Sequence, residues 1–215
     1  YVLNFTPKTA RQNLKRIKMQ TEANQNVKNK TLGLVLLGLC AFYFICALGI
    51  FVLPFDVLAR SSLAQEFVEA MLKIYPAVER AFTHTDFTQK AAFYIAYMGI
   101  IKVITLVVYM GCFLCHRAGR VAMAKAVKKQ SVASRAFVSI FGIFATVLMI
   151  NLDFNGTYIG YRNPRYSSEY EWVLKSPGEL FWQMCIDFMF VVFVAACIFY
   201  VSLQIRLLFR KRKNA

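Results

Sequence analysis

Acid and histidine are scarce in this sequence. Eleven aspartates and glutamates stand against 26 lysines and arginines, and His84 and His116 are the only imidazoles. A zinc centre wants four clustered His, Cys or carboxylate ligands, and two distant histidines do not supply them. No glycine-rich phosphate loop occurs, which excludes a nucleotide cradle of that kind. No internal repeat or low-complexity tract appears, so a solenoid or a long disordered linker is excluded. Cysteine is missing from every connecting loop: Cys40, Cys46, Cys112, Cys115, Cys185 and Cys197 all sit in apolar runs. A disulfide-stapled extracellular module is therefore not expected. The chain begins at Tyr1 rather than Met, which leaves room for residues before it.

What the chain has in abundance is apolar length. Of 215 residues, 58% are hydrophobic and 17% charged, too apolar for an ordinary soluble domain. Four long runs carry this: 32–53, 91–115, 136–152 and 180–205. A helix rising ~1.5 Å per residue needs about 20 residues to cross a ~30 Å hydrocarbon core. Pro54 ends the first run. Ser176-Pro177-Gly178-Glu179 opens the last, with Ser at the cap, Pro at the first helical position and Glu at the third. The third run is the shortest and crosses only with little tilt. The expected fold is all-α, a four-helix membrane bundle over 32–205, with basic tails at 1–31 and 206–215.

Charge placement sets the orientation. The N-terminal tail has seven Lys/Arg, the 116–135 connection six and the C-terminal tail five. The 55–90 and 153–178 connections have four and three, balanced by acids. With four crossings, every basic-rich segment falls on one side. The positive-inside rule then predicts both termini in the cytoplasm, in an inner (plasma) membrane or an organellar equivalent. The net charge of +15 thus belongs to lipid phosphates, and nucleic acid is not an expected partner.

In the first outer connection, Leu63, Phe67, Met71, Ile74, Val78 and Phe82 recur at spacings of four and three. This predicts an amphipathic helix, interrupted at Pro76, on the membrane surface or over the bundle mouth. Such a stripe is also what a partner helix uses. Ser62 with Gln65 reads as its capping box. The second outer connection has Asn155-Gly156 and Asn163-Pro164 turn dipeptides among several tyrosines and Trp172, consistent with a short hairpin at headgroup level.

Two motifs carry chemistry. Cys112-Phe113-Leu114-Cys115-His116 matches the c-type haem attachment pattern. It falls at the basic end of the second span, whereas such haem is attached on the opposite side, so no cofactor is expected. Lys102 and Asp187 are charges inside apolar runs, costly unless paired or wet. Counted from the outer ends, Lys102 lies about 11 residues deep, ~16 Å, and Asp187 about 8, ~12 Å. A lysine stem covers the difference, so an intramembrane ion pair is predicted. Thr105 and Tyr109 share the face of Lys102, and Gln183 shares that of Asp187. The pair fits three roles: fixing helix packing, relaying a proton or ion, or pairing with another subunit.

No Ser-His-Asp or Cys-His constellation assembles, since His84 and His116 fall on opposite sides. The chain is therefore expected not to be an enzyme. In crossing number, orientation and size the outline resembles the immunity proteins that protect bacteria against pore-forming colicins. The likeness is one of architecture, and no residues carry over. The leading expectation is a subunit acting through helix–helix contacts in a larger membrane assembly such as a secretion or conjugation machine. Its expected partners are the lipid bilayer and other membrane subunits. The alternatives are an immunity- or exclusion-type protein that binds an incoming toxin or pilus, and an ion- or haem-handling protein.

Overall fold

In the computed structural model of the protein, residues 31–115, 117–159 and 174–213 are described. The chain divides into two units, residues 1–39 and 40–215. In the first, the described part is the opening of helix α1 (Thr31–Val52). All the packing below lies within the second unit.

The described residues are helical almost throughout, and four helices are long and apolar enough to cross a membrane. These are α1, α5 (Thr88–Cys115), α7 (Val132–Phe154) and α8 (Pro177–Lys213). Between them stand α2 (Val57–Arg60), α3 (Ser62–Leu72), α4 (Pro76–Thr83) and α6 (Arg117–Lys129). The α8 cap forms as its sequence implies: Glu179 N donates to Ser176 Oγ at 3.3 Å, and Lys175 N donates to Glu179 Oε2 at 3.1 Å.

The helices run beyond the apolar runs read from the sequence. Helix α7 starts at Val132, four residues before the apolar run, because Ser131 caps it by accepting from Ser134 N at 3.1 Å. The third span is therefore 23 residues and not short. Helix α8 runs past Ile205 to Lys213, since arginine and lysine are good helix formers and no Gly or Pro intervenes. The basic 116–135 connection is largely helix α6.

The stripe expected in the first outer connection is also corrected. Tyr75 is extended (φ −136°, ψ 91°) and Pro76 opens a new helix, as the clash of proline with its preceding residue requires. The phase is reset there, so the six stripe residues do not share a face. Met71 and Val78 are buried and Phe67 and Phe82 half-buried, but Leu63 and Ile74 are 76% and 64% exposed. Ala64, Val68, Ala77 and Ala81 are buried with Met71 and Val78, where α3 and α4 pack against α5. Ser61, not Ser62, caps α3, accepting from Ala64 N at 3.3 Å.

Helix α8 lies against both α5 and α7 and forms the middle of the bundle. Gly142 of α7 faces Cys197 of α8. The second half of α1 packs with fully buried Tyr43, Ala47 and Ile50. A phenol in hydrocarbon needs a partner, and each here finds a backbone carbonyl. Tyr43 Oη donates to Met184 O (3.1 Å), Tyr94 Oη to Ala47 O (2.9 Å) and Tyr97 Oη to Cys46 O (2.6 Å). A parallel bridge joins Thr85, between α4 and α5, to Leu174, just ahead of α8. The hairpin expected in the second connection falls largely on 160–173, outside the described residues.

Candidate functional site: a three-charge cluster beside a lateral cleft

Lys102 projects from the middle of α5 into a site shared by three helices. Its Nζ lies 2.7 Å from Asp187 Oδ2 on α8. The same nitrogen lies 2.5 Å from Asp153 Oδ1 on the last turn of α7. It also donates to Tyr158 Oη at 3.4 Å and stands 5.4 Å from that ring's centroid. Tyr75 approaches from the break between α3 and α4, its hydroxyl 3.5 Å from Asp153 Oδ2 and 3.4 Å from Asp153 O.

Small residues make this convergence geometrically feasible. A Cβ on Gly99 would sit 2.8 Å from the Tyr75 ring. Gly156 adopts φ +59° just after α7, and a Cβ there would lie 2.7 Å from Ala77 Cα. Arg80 Nη1 donates to Gly156 O at 3.3 Å and pins α4 to that turn. Helix α4 thus lies over the end of the cluster at which α7 stops.

The electrostatics are asymmetric. The side chains of Lys102 and Asp187 are 6% and 3% exposed, that of Asp153 34%. With all three ionised the cluster carries one net negative charge. Burial pushes the Tyr75 phenol up to about 12, against the opposing pull of Lys102. Burial likewise raises Tyr158 well above its ordinary value, again opposed by Lys102. Both phenols therefore stay neutral, and Tyr158 can accept from the ammonium.

The cluster forms part of the wall of a cleft of about 530 Å³ between α5, α7 and α8. The rest of the wall is apolar, with Ile74, Val103, Met149, Ile150 and Val194 among its residues. Nothing in the set is a nucleophile with a base. The arrangement can hold a proton or a cation, and it can lock three helices in register.

The other residues singled out in the sequence fall around this centre. Gln183 stands one turn before Asp187 on α8 and is half-buried. Thr105 is fully buried, its hydroxyl without a partner among the described residues. Tyr109 is buried among rings, 6.3 Å from Phe188 and 6.2 Å from Phe113, and takes no part in the cluster. Cys112 is half-buried with a free thiol, while the Cys115 side chain and His116 lie outside the described residues. Asp153, Tyr158 and Tyr75 were not foreseen. Asp153 reads from sequence as an outer-surface acid, and only a depth count along α7 against the reach of Lys102 would have paired them.

No protein family, curated protein or solved structure matches this chain.

Proposed function

We propose that the protein is a non-enzymatic, multi-pass membrane subunit that works through helix–helix contacts within a larger membrane assembly. The observation that carries this is the open cleft between α5 and α7, with Lys102, Asp153 and Asp187 in its wall. Lys102 and Asp187 are sealed, but Asp153 is 34% exposed. A charge beside hydrocarbon is costly, and a neighbouring subunit's helix laid over the cleft would cover it. Helix α7 fits such a role. It buries Gly142 and Ala145 and leaves Phe137, Ile140, Phe144 and Val147 exposed. In this reading both termini are cytoplasmic, and the α2–α4 connection is an outer, amphipathic layer at the membrane surface.

Cysteines placed at Val103 and Met149 test the proposal in native membranes. Cross-links from both positions to one partner of defined mass support it. A monodisperse monomer in mild detergent, with no partner captured from either position, overturns it.

The alternative of a proton- or cation-handling protein has one specific observation in its favour. Lys102 bridges a sealed carboxylate, Asp187, to a partly exposed one, Asp153, which makes a short step from the interior toward the α7 end. Proton or cation flux in proteoliposomes decides it. Flux abolished in Lys102→Met/Asp187→Leu supports relay, and absence of flux in the unaltered protein removes it.

A further inference from the structure

At the other end of the bundle a slot of about 510 Å³ opens between α6 and α8. Arg120 of α6 and Arg206 of α8 flank it, and Val121, Ala124, Leu203 and Leu207 supply apolar wall. Its two walls are set by their own contacts. Val127 of α6 is 1% exposed. Tyr200 Oη donates to Gln130 Oε1 at 2.9 Å and accepts from Gln204 Nε2 at 3.0 Å. That network holds the end of α6 on α8, with Gln204 only two residues from Arg206.

Among the described residues the slot has no acid in its lining. No Asp or Glu occurs from 116 to 152 or from 188 to 213. Among the described residues neither arginine has an ion pair. Two guanidiniums from different helices therefore stand unneutralised at the mouth of an apolar recess. Guanidinium groups match phosphate oxygens in pairs. Basic pockets between helices of membrane proteins suit acidic headgroups, and the recess below suits an acyl chain.

We propose that this slot binds an acidic phospholipid, with the phosphate taken by Arg120 and Arg206 and an acyl chain lying along Ala124 and Leu203. A freely diffusing phosphate would use the arginines alone, and a diffuse basic surface would use any lysine nearby, so the site predicts both headgroup and chain dependence.

The test uses the full chain in phosphatidylcholine nanodiscs, with binding of long-chain phosphatidylglycerol read by native mass spectrometry. Saturable retention of phosphatidylglycerol over phosphatidylcholine is expected. Arg120→Gln/Arg206→Gln should weaken it by about five-fold per arginine, and the Arg→Lys pair should recover part of the loss. Ala124→Trp fills the recess and should lose the lipid with both arginines present. The charge-matched control Lys125→Gln/Lys129→Gln removes two cations outside the slot and should bind as the unaltered chain does. An equal loss in that control makes the effect diffuse surface charge and overturns the site. Displacement by millimolar inorganic phosphate, or unchanged retention in both slot variants, overturns it as well.

Discussion

Lys102 Nζ and Asp153 Oδ1 meet at 2.5 Å across 51 residues of sequence. Because the same nitrogen holds Asp187 at 2.7 Å, one ammonium ties α5, α7 and α8 together. The two carboxylates differ in what they can do without it. Asp153 is a third exposed, whereas Asp187 is sealed.

The first prediction follows from that difference. Lys102→Met leaves the Asp187 carboxylate buried without a cation and should cost about 3–5 kcal/mol, the usual penalty for breaking a buried pair from one side. Lys102→Met/Asp187→Leu should recover most of this, since the remaining carboxylate, Asp153, is only partly buried. Reversible unfolding by SDS in mixed micelles measures both. Equal losses in the single and double variants would show that the buried charge is not the source.

Tyr75 predicts an alkaline weakening. Its phenol sits at about 12 in the fold, against about 10 when exposed. The folded chain therefore holds the proton more tightly than the unfolded one. The stability this gives is complete below pH ~10 and is lost as pH rises from about 10 through 12. Two units correspond to roughly 3 kcal/mol at most. Unfolding free energies at pH 9 and 11 should fall less steeply in Tyr75→Phe than in the unaltered protein. Tyr158, shifted in the same direction, keeps the slope from vanishing, and parallel slopes would remove Tyr75 from the account.

Thr105 sits one turn from Lys102 with a hydroxyl that has no partner among the described residues. Thr105→Val replaces that hydroxyl with a methyl of similar shape. An unsatisfied buried hydroxyl costs about 1–3 kcal/mol, so the variant should be as stable as the parent or more so by about 1 kcal/mol. Destabilisation beyond 1 kcal/mol in the same SDS titration would mean that the hydroxyl is engaged in the membrane, by water or by a partner subunit.

Much of this site was legible because charges inside apolar runs are rare and depth along a helix can be counted. That reasoning pairs Lys102 with Asp187. It misses Asp153, which sits at the end of its run where an acid draws no notice, and Tyr75, which reads as part of a helix. The spans themselves stand out by length, yet their ends do not. The Ser131 cap hides behind Arg135, and the basic end of α8 gives no breaker. The surface stripe fails for a related reason. A single 3.6-residue phase was carried across Pro76, where the backbone resets it. The faces that pack also include Ala64, Ala77 and Ala81, which a search for large residues passes over.

Gly156 gives the last prediction, and it concerns what keeps α4 over the cluster. Its φ of +59° lies in the left-handed region, where a side chain costs roughly 1–2 kcal/mol. Its missing Cβ also makes room for the α4 backbone, since that atom would meet Ala77 Cα at 2.7 Å. Backbone yields less readily than a side chain, so overpacking adds about 1–3 kcal/mol. Gly156→Ala should therefore cost about 2–4 kcal/mol and push α4 away from the turn, breaking the Arg80 bond to Gly156 O. The loosening should be local. Hydrogen exchange should speed up across 76–84 and at the Thr85–Leu174 bridge, while the amides of α8 around Met184 keep their protection. Unchanged exchange in α4 would show that the contact with Gly156 does not hold the helix in place. In that case Gly99, which takes the Tyr75 ring at close range, becomes the next position to substitute.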